Sequence, residues 1–322
     1  MLFLYFLMFF YPSDFISITI RFEMKILNLF FLLSVLSVSD NAFAKLLIEP
    51  SVGFGVSSLN MSDGRGTTFT PTNTNYYFLS LGINKLSFQA KLPQKDSPEV
   101  RQQKVDTKIQ DYQFSLDVYK NWKAAAYYQN YKGYFVENGQ MNYSQANYDL
   151  SFNHVGAQIF YMFNEKHSSF IIQDAFWNET EDSSSWIVSG GIDQFFLEGD
   201  VMPAALKAKQ TQILKNLAIN AFSVRGSYSR NWVWSHWFVG VAAGLGLNMN
   251  LVNAEYIPPI GDAKTNETKT SLNSMLAMSY GYKWNTSKVG LFARMYNWKI
   301  GIDDIELSSN TSSSGFYYSS TF

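Results

Sequence analysis

Acid–base, nucleophilic and metal chemistry draw on a short list of side chains, and this chain of 322 residues is sparing with them. Cysteine is absent, which removes disulfides, thiol nucleophiles and thiolate metal ligands together. The three histidines are His154, His167 and His236, and none stands at an H-x-x-x-H spacing. No metal site or cofactor is therefore expected. Hydrolysis by serine needs a histidine base that a third group orients. His154 shares a stretch with Ser151 and Asn153, yet no nucleophile elbow or acid partner is legible around it. The sequence assigns no catalytic residue. Gly240, Gly244 and Gly246 alternate with apolar residues, as glycines inside a strand do and those of a phosphate loop opening a helix do not.

Composition narrows the class. With 25 basic and 26 acidic side chains, no long-range field favours nucleic acid. Charged residues make up 16% of the chain and aromatic residues 17%, against about 25% charged in an ordinary soluble domain, so much of the surface is expected to face something other than water. Residues 24–44, MKILNLFFLLSVLSVSDNAFA, have the basic start, apolar run and small-x-small end of a secretory signal peptide. Residues 1–23 carry an apolar run broken by Pro12, Ser13 and Asp14, too short to span a bilayer, which takes about 20 residues. They are read as a mis-assigned extension, and residues 45–322 as one mature domain.

The elements that would position any site show a period of two. From Trp237 to Met249 the odd positions are apolar and the even ones are mostly Gly, Ala or Asn. Phe222, Val224 and Tyr228 oppose Ser223, Arg225 and Ser227, and Leu276, Met278, Tyr280 and Trp284 oppose Asn273, Ser279 and Lys283. Such runs are long enough for the 9 to 11 or so residues that cross a membrane at a tilt, one face to lipid and the other to a lumen. Trp232, Trp234, Trp237, Tyr280, Tyr282 and Trp284 sit where an interfacial girdle belongs. The pattern predicts a transmembrane antiparallel outer-membrane β-barrel. Candidate strands are 46–58, 76–84, 86–92, 108–120, 122–136, 148–163, 168–178, 185–197, 219–230, 235–250, 271–284, 287–301 and 315–322. These are thirteen, and single-chain barrels of this kind take an even number, so 12 strands are expected, with 14 as the alternative. Residues 202–217 read as a helix beginning at Pro203. Turns are placed at Asn84-Lys85, Lys120-Asn121, 231–234 and Asn285-Thr286, and long outer loops at 59–75, 93–107, 137–147 and 251–270. By parity Glu49, Gln89, Lys91, Asp117, Asp193, Arg225 and Lys283 face the lumen, where charges of both signs are expected to pair across a narrow interior. Phe316, Tyr318 and the last residue, Phe322, share one face and resemble the assembly signal of outer-membrane barrels, apart from Ser320.

The motifs YYFLSLGINKLSFQAKLP (Tyr76 to Pro93), QNYKGYF (Gln129 to Phe135), YMFN (Tyr161 to Asn164) and SGGIDQFF (Ser189 to Phe196), in that order, resemble the outer-membrane proteins grouped as domain of unknown function 4421. The resemblance implies a barrel in the bacterial outer membrane and no known activity. The partners expected are outer-membrane lipids and, during biogenesis, the barrel assembly machinery. Three roles are open: a narrow channel or structural surface protein, a lipid-modifying hydrolase using His154 or His236, and a binding or adhesion module working through loops 59–75 and 251–270.

Overall fold

Alternation in sequence becomes alternation in space. The computed structural model describes residues 47–62, 66–71, 75–94, 107–138, 143–167, 182–199, 213–257, 263–302 and 305–322. Its strands are β1 (Ile48–Ser62), β2 (Thr67–Thr70), β3 (Asn75–Ile83), β4 (Leu86–Pro93), β5 (Lys108–Tyr119), β6 (Trp122–Asn138), β7 (Tyr143–Met162), β8 (Ser183–Glu198), β9 (Ile213–Trp234), β10 (Trp237–Ile257), β11 (Ala263–Trp284), β12 (Ser287–Ile302) and β13 (Ile305–Ser320). From β3 to β13 each strand pairs antiparallel with the next, β1 pairs with β3, and β13 returns to β1 in register from Ser51↔Ser319 to Ser62↔Ser308. The result is a closed all-β barrel of twelve strands, with β2 outside the ring. Closure leaves no edge with unpaired backbone groups.

Short β2 pairs with Met61 and Ser62 of β1 and with Phe135 to Asn138 of β6. It bridges the two strands that flank β3, β4 and β5. Four tight turns, Asn84-Lys85, Lys120-Asn121, Ser235-His236 and Asn285-Thr286, lie at one end, and the first residue of each has positive φ. That geometry follows the twist of the strands it joins. We call this the turn end and the opposite one the loop end.

Several expected boundaries move. Residues 231–234 belong to β9, and the turn follows them. Residues 213–217, expected to be helical, are strand, because Leu217 pairs with Leu197 and Ile213 with Ile257. Most of the expected loop 251–270 continues β10 and β11, paired as far as Tyr256↔Ala263. Candidate strand 168–178, residues 202–212 and residues 1–46 lie outside the described residues.

The outward face carries Val52, Leu79, Val224, Leu245, Leu272, Leu276, Leu291 and Phe316, all exposed. On β11 the apolar outer positions run from Leu272 to Trp284, which at about 3.3 Å per residue and about 40° of tilt is about 33 Å, the scale of a bilayer's apolar core. Near the turn end, outward aromatics meet one another: Trp122 with Tyr161, Trp186 with Tyr228, Trp237 with Tyr280 and Trp284 with Tyr318.

Inward side chains fill the barrel. One buried apolar cluster, which includes Met61, Phe69, Tyr134, Leu150, Leu197, Leu217 and Val252, lies toward the loop end. A second, which includes Phe78, Phe160, Ile187, Phe238, Met275, Phe292 and Tyr317, lies toward the turns. Phe195 of β8 meets Trp298 of β12 with ring centroids 5.0 Å apart, although three strands separate them along the wall. Inward glycines admit the rings: a Cβ on Gly53 would stand 2.3 Å from the Phe78 ring, and one on Gly281 would stand 2.2 Å from that of Phe238.

Candidate functional site: a polar belt inside the barrel

Between the apolar clusters runs a belt of buried polar groups on β4 to β12. Lys91 Nζ lies 2.9 Å from Asp111 Oδ2, with the two side chains 5% and 0% exposed. Gln113 Nε2 donates to Asp111 Oδ1 at 3.2 Å, and Gln129 Nε2 donates to Oδ2 at 3.1 Å. Two buried carboxylate oxygens thus receive three donors, as an ion in a low dielectric requires. Gln129 carries the chain onward, its Oε1 3.1 Å from His154 Nδ1. His154 Nε2 is 3.2 Å from Asp193 Oδ1, and the Tyr127 hydroxyl donates to the same oxygen. Gln158 Nε2 donates to Tyr127 at 3.2 Å, and the imidazole stacks on Phe195 at 4.1 Å. Because Gln129 turns its amide nitrogen to Asp111, its oxygen faces His154. With Asp193 ionised, both ring nitrogens then face acceptors, so each carries a proton.

The belt continues beyond Asp193. Arg225 on β9 donates through Nε to Asn273 Oδ1 on β11 at 3.0 Å, and its guanidinium carbon lies 4.9 Å from the Tyr296 ring centroid on β12. Asn273 donates in turn to Asn248, and Asn250 donates to Ser271 at 2.9 Å. The intervening strand β10 lets the arginine pass: a Cβ on Gly244 would stand 3.2 Å from Arg225 Cδ, and one on Gly246 would stand 2.7 Å from Asn273 Oδ1. Here lies the local role of the glycine run in β10.

The seven residues assigned to the lumen by parity fall in three places. Gln89, Lys91, Asp193 and Arg225 are buried in the belt. Glu49 is buried near the turn end, where its carboxylate meets Lys288 Nζ at 2.7 Å and accepts from Ser319 at 2.8 Å. Asp117 pairs with Lys123 at 2.7 Å but is half exposed, and Lys283 is half-buried, two residues from the β11–β12 turn. None of the ion pairs given joins two of the seven. Lys91 and Asp193 find their partners on the adjacent strand and Glu49 two strands away, so the pairing runs along the wall. Asp111, His154, Lys288, Tyr127 and Asn273 are the members that sequence reasoning missed. Asp111 shares the parity of Gln113 and Ser115, which was the available signal.

The acid partner that His154 lacks in sequence is thus Asp193, on the neighbouring strand. The dyad sits between the apolar clusters, and among the described residues no serine or threonine hydroxyl is hydrogen-bonded to His154. His236 lies in an exposed turn with its Nδ1 2.9 Å from Ser235 Oγ. His167 is buried just beyond β7, with Nδ1 2.9 Å from Ser183 Oγ. Burial, helped by Lys123 and Arg230, lowers its pKa from 6.5 to about 4. No group of residues suited to hold a metal ion occurs among the described residues.

Residues 42–318 match the family model described as Domain of unknown function (DUF4421). No curated protein matches the chain. Among solved structures the chain is similar to the outer membrane protease OmpT from Escherichia coli, at 8% identity over 87% of this chain and 99% of that one, with TM-score 0.45. It is similar to the Ralstonia pickettii toluene transporter TbuX at 10% identity, 87% and 90% coverage and TM-score 0.33. The translocator domain of the autotransporter NalP from Neisseria meningitidis gives 7% identity, 95% and 98% coverage and TM-score 0.37. At these identities and scores no residue role passes from those proteins to this one.

Proposed function

We propose that this chain, which belongs to the DUF4421 family, is an integral outer-membrane β-barrel that serves as a structural surface protein, its lumen filled by its own side chains. The observation that carries the reading is the burial of inward residues on every strand, large aromatics among them, in two apolar clusters and the belt between. An open pore needs a continuous aqueous path, along which lumenal side chains would be wet. The exposed apolar band and its girdle support lipid as the surrounding medium. Residues 24–44 direct export on this reading, leaving a mature chain that starts at Lys45, and Phe316, Tyr318 and Phe322 present the face that the assembly machinery would meet. Measuring current across planar bilayers that contain the purified, folded protein tests the role. Insertion without stepwise conductance is expected, and a stable ohmic conductance per barrel would replace the scaffold reading with the channel.

A further inference from the structure

Counting the buried charges leaves one without a mate. Three carboxylates are buried in the barrel, and each is occupied: Glu49 by Lys288, Asp111 by Lys91, and Asp193 by His154 and Tyr127. Arg225 is 6% exposed and has no carboxylate within 4.0 Å among the described residues. Its polar neighbours, Asn273 and Tyr296, are neutral. A lysine in that position could shed its proton, but a guanidinium stays charged at any working pH. A desolvated cation without a counter-charge is strongly unfavourable. The surroundings are nonetheless shaped to hold it, since Gly244 clears room for its stem, Asn273 fixes Nε and the Tyr296 ring covers one face. That arrangement leaves the terminal amino groups, the fork that takes two oxygens of one anion, as the uncommitted part of the side chain.

We propose that Arg225, held by Asn273 and Tyr296, is the anchor of an internal binding site for a small oxyanion, a carboxylate or phosphate, within the barrel. The site faces the lumen, opposite lipid-facing Val224, which is 63% exposed. Its ligand is accordingly a free ion and not a lipid headgroup. The site needs only the barrel interior and stands apart from the question of conductance.

The test is the unfolding midpoint of the protein folded in a detergent with a sugar headgroup. Sodium phosphate or sodium acetate is titrated against sodium chloride at matched ionic strength. A saturable rise of a few degrees beyond the chloride effect is expected, because a ligand bound only by the folded state stabilises it. The rise should vanish in Arg225→Gln, weaken in Asn273→Ala and persist in Arg230→Gln, an arginine on the outer face. Equal responses in Arg225→Gln and wild type, or no wild-type response beyond chloride, would overturn the site. If Arg225→Gln does not assemble, Arg225→Lys serves instead: several-fold weaker phosphate binding is expected, and unchanged affinity refutes the fork. A parallel arm uses anionic-lipid nanodiscs without free phosphate; stabilisation there alone would move the anion to the outer wall and refute the proposal.

Discussion

Buried ions make the barrel interior sensitive to single atoms. Lys91 and Asp111 are almost fully buried together, so removing one partner strands the other in a low dielectric. Asp111→Asn should cost about 3 to 5 kcal/mol, whereas replacing both by apolar residues of similar volume should cost far less. Urea unfolding of the folded barrel followed by tryptophan fluorescence reads both, and equal losses would show that the pair acts through packing alone. His167 gives a pH signature instead. Its folded pKa of about 4 lies below the unfolded value of 6.5, so between these values the unfolded chain binds more protons and stability rises with pH. The contribution is complete above pH 6.5 and drains away as pH falls toward 4. His167→Gln should flatten that part of the curve of midpoint against pH, and an unchanged slope would assign the dependence elsewhere. Lys91 could be placed on the inner face from its own strand. Asp111 could not be named as its partner, because the pairing Lys91↔Asp111 depends on the β4–β5 register, which neither strand's pattern contains.

Strands were legible where one face met lipid and the other the lumen, and failed where both faces were polar. In β13 the stretch from Ser308 to Ser314 is almost all serine, so nothing alternates. It is held by ladders to β1 and β12 and by contacts such as Ser58 Oγ to Ser312 Oγ at 2.8 Å. The outer ends of β10 and β11 read as loops for the same reason: Asn266, Thr268 and Thr270 lie beyond the apolar band, where outward side chains meet water and polar residues serve. β2 is four residues long and pairs with strands on both sides, which no local period announces. The band itself is testable residue by residue. Leu245 is 72% exposed on the outer face, and arginine there should cost about 2 to 4 kcal/mol near the midplane. Arginine at Asn253, on the same face of β10 but past the band, should be nearly neutral. Comparing the two variants by denaturant titration in lipid vesicles decides it, and equal costs would mean that lipid does not cover that face.

At the scale of the whole molecule the fold depends on one seam. Eleven of the twelve joints in the ring link strands close in sequence, but β1 and β13 lie at opposite ends of the domain, as the hydrogen bond between Ser319 and Glu49, 270 positions apart, illustrates. Pairings of such separation are the slowest to form, since the chain loses loop entropy before any contact repays it. The seam is therefore expected to close last. Its turn end is fastened by the final residues: Phe322 N donates to Ile48 O at 2.9 Å, Ile48 N to Phe322 O at 3.2 Å, and Thr321 N to Thr286 O at 2.8 Å. Those bonds sit beside the buried Glu49–Lys288 pair, so a frayed seam would also let water reach an ion pair. Removing Thr321 and Phe322 should slow closure while leaving the eleven local joints able to form. In refolding from urea into detergent micelles, strand content by circular dichroism should develop as in wild type. The compact species that migrates fast on an unheated gel should accumulate more slowly. Equal rates for both signals in the truncated chain would show that the seam is not the last step, and closure would then have to be sought at the β2 bridge between β1 and β6.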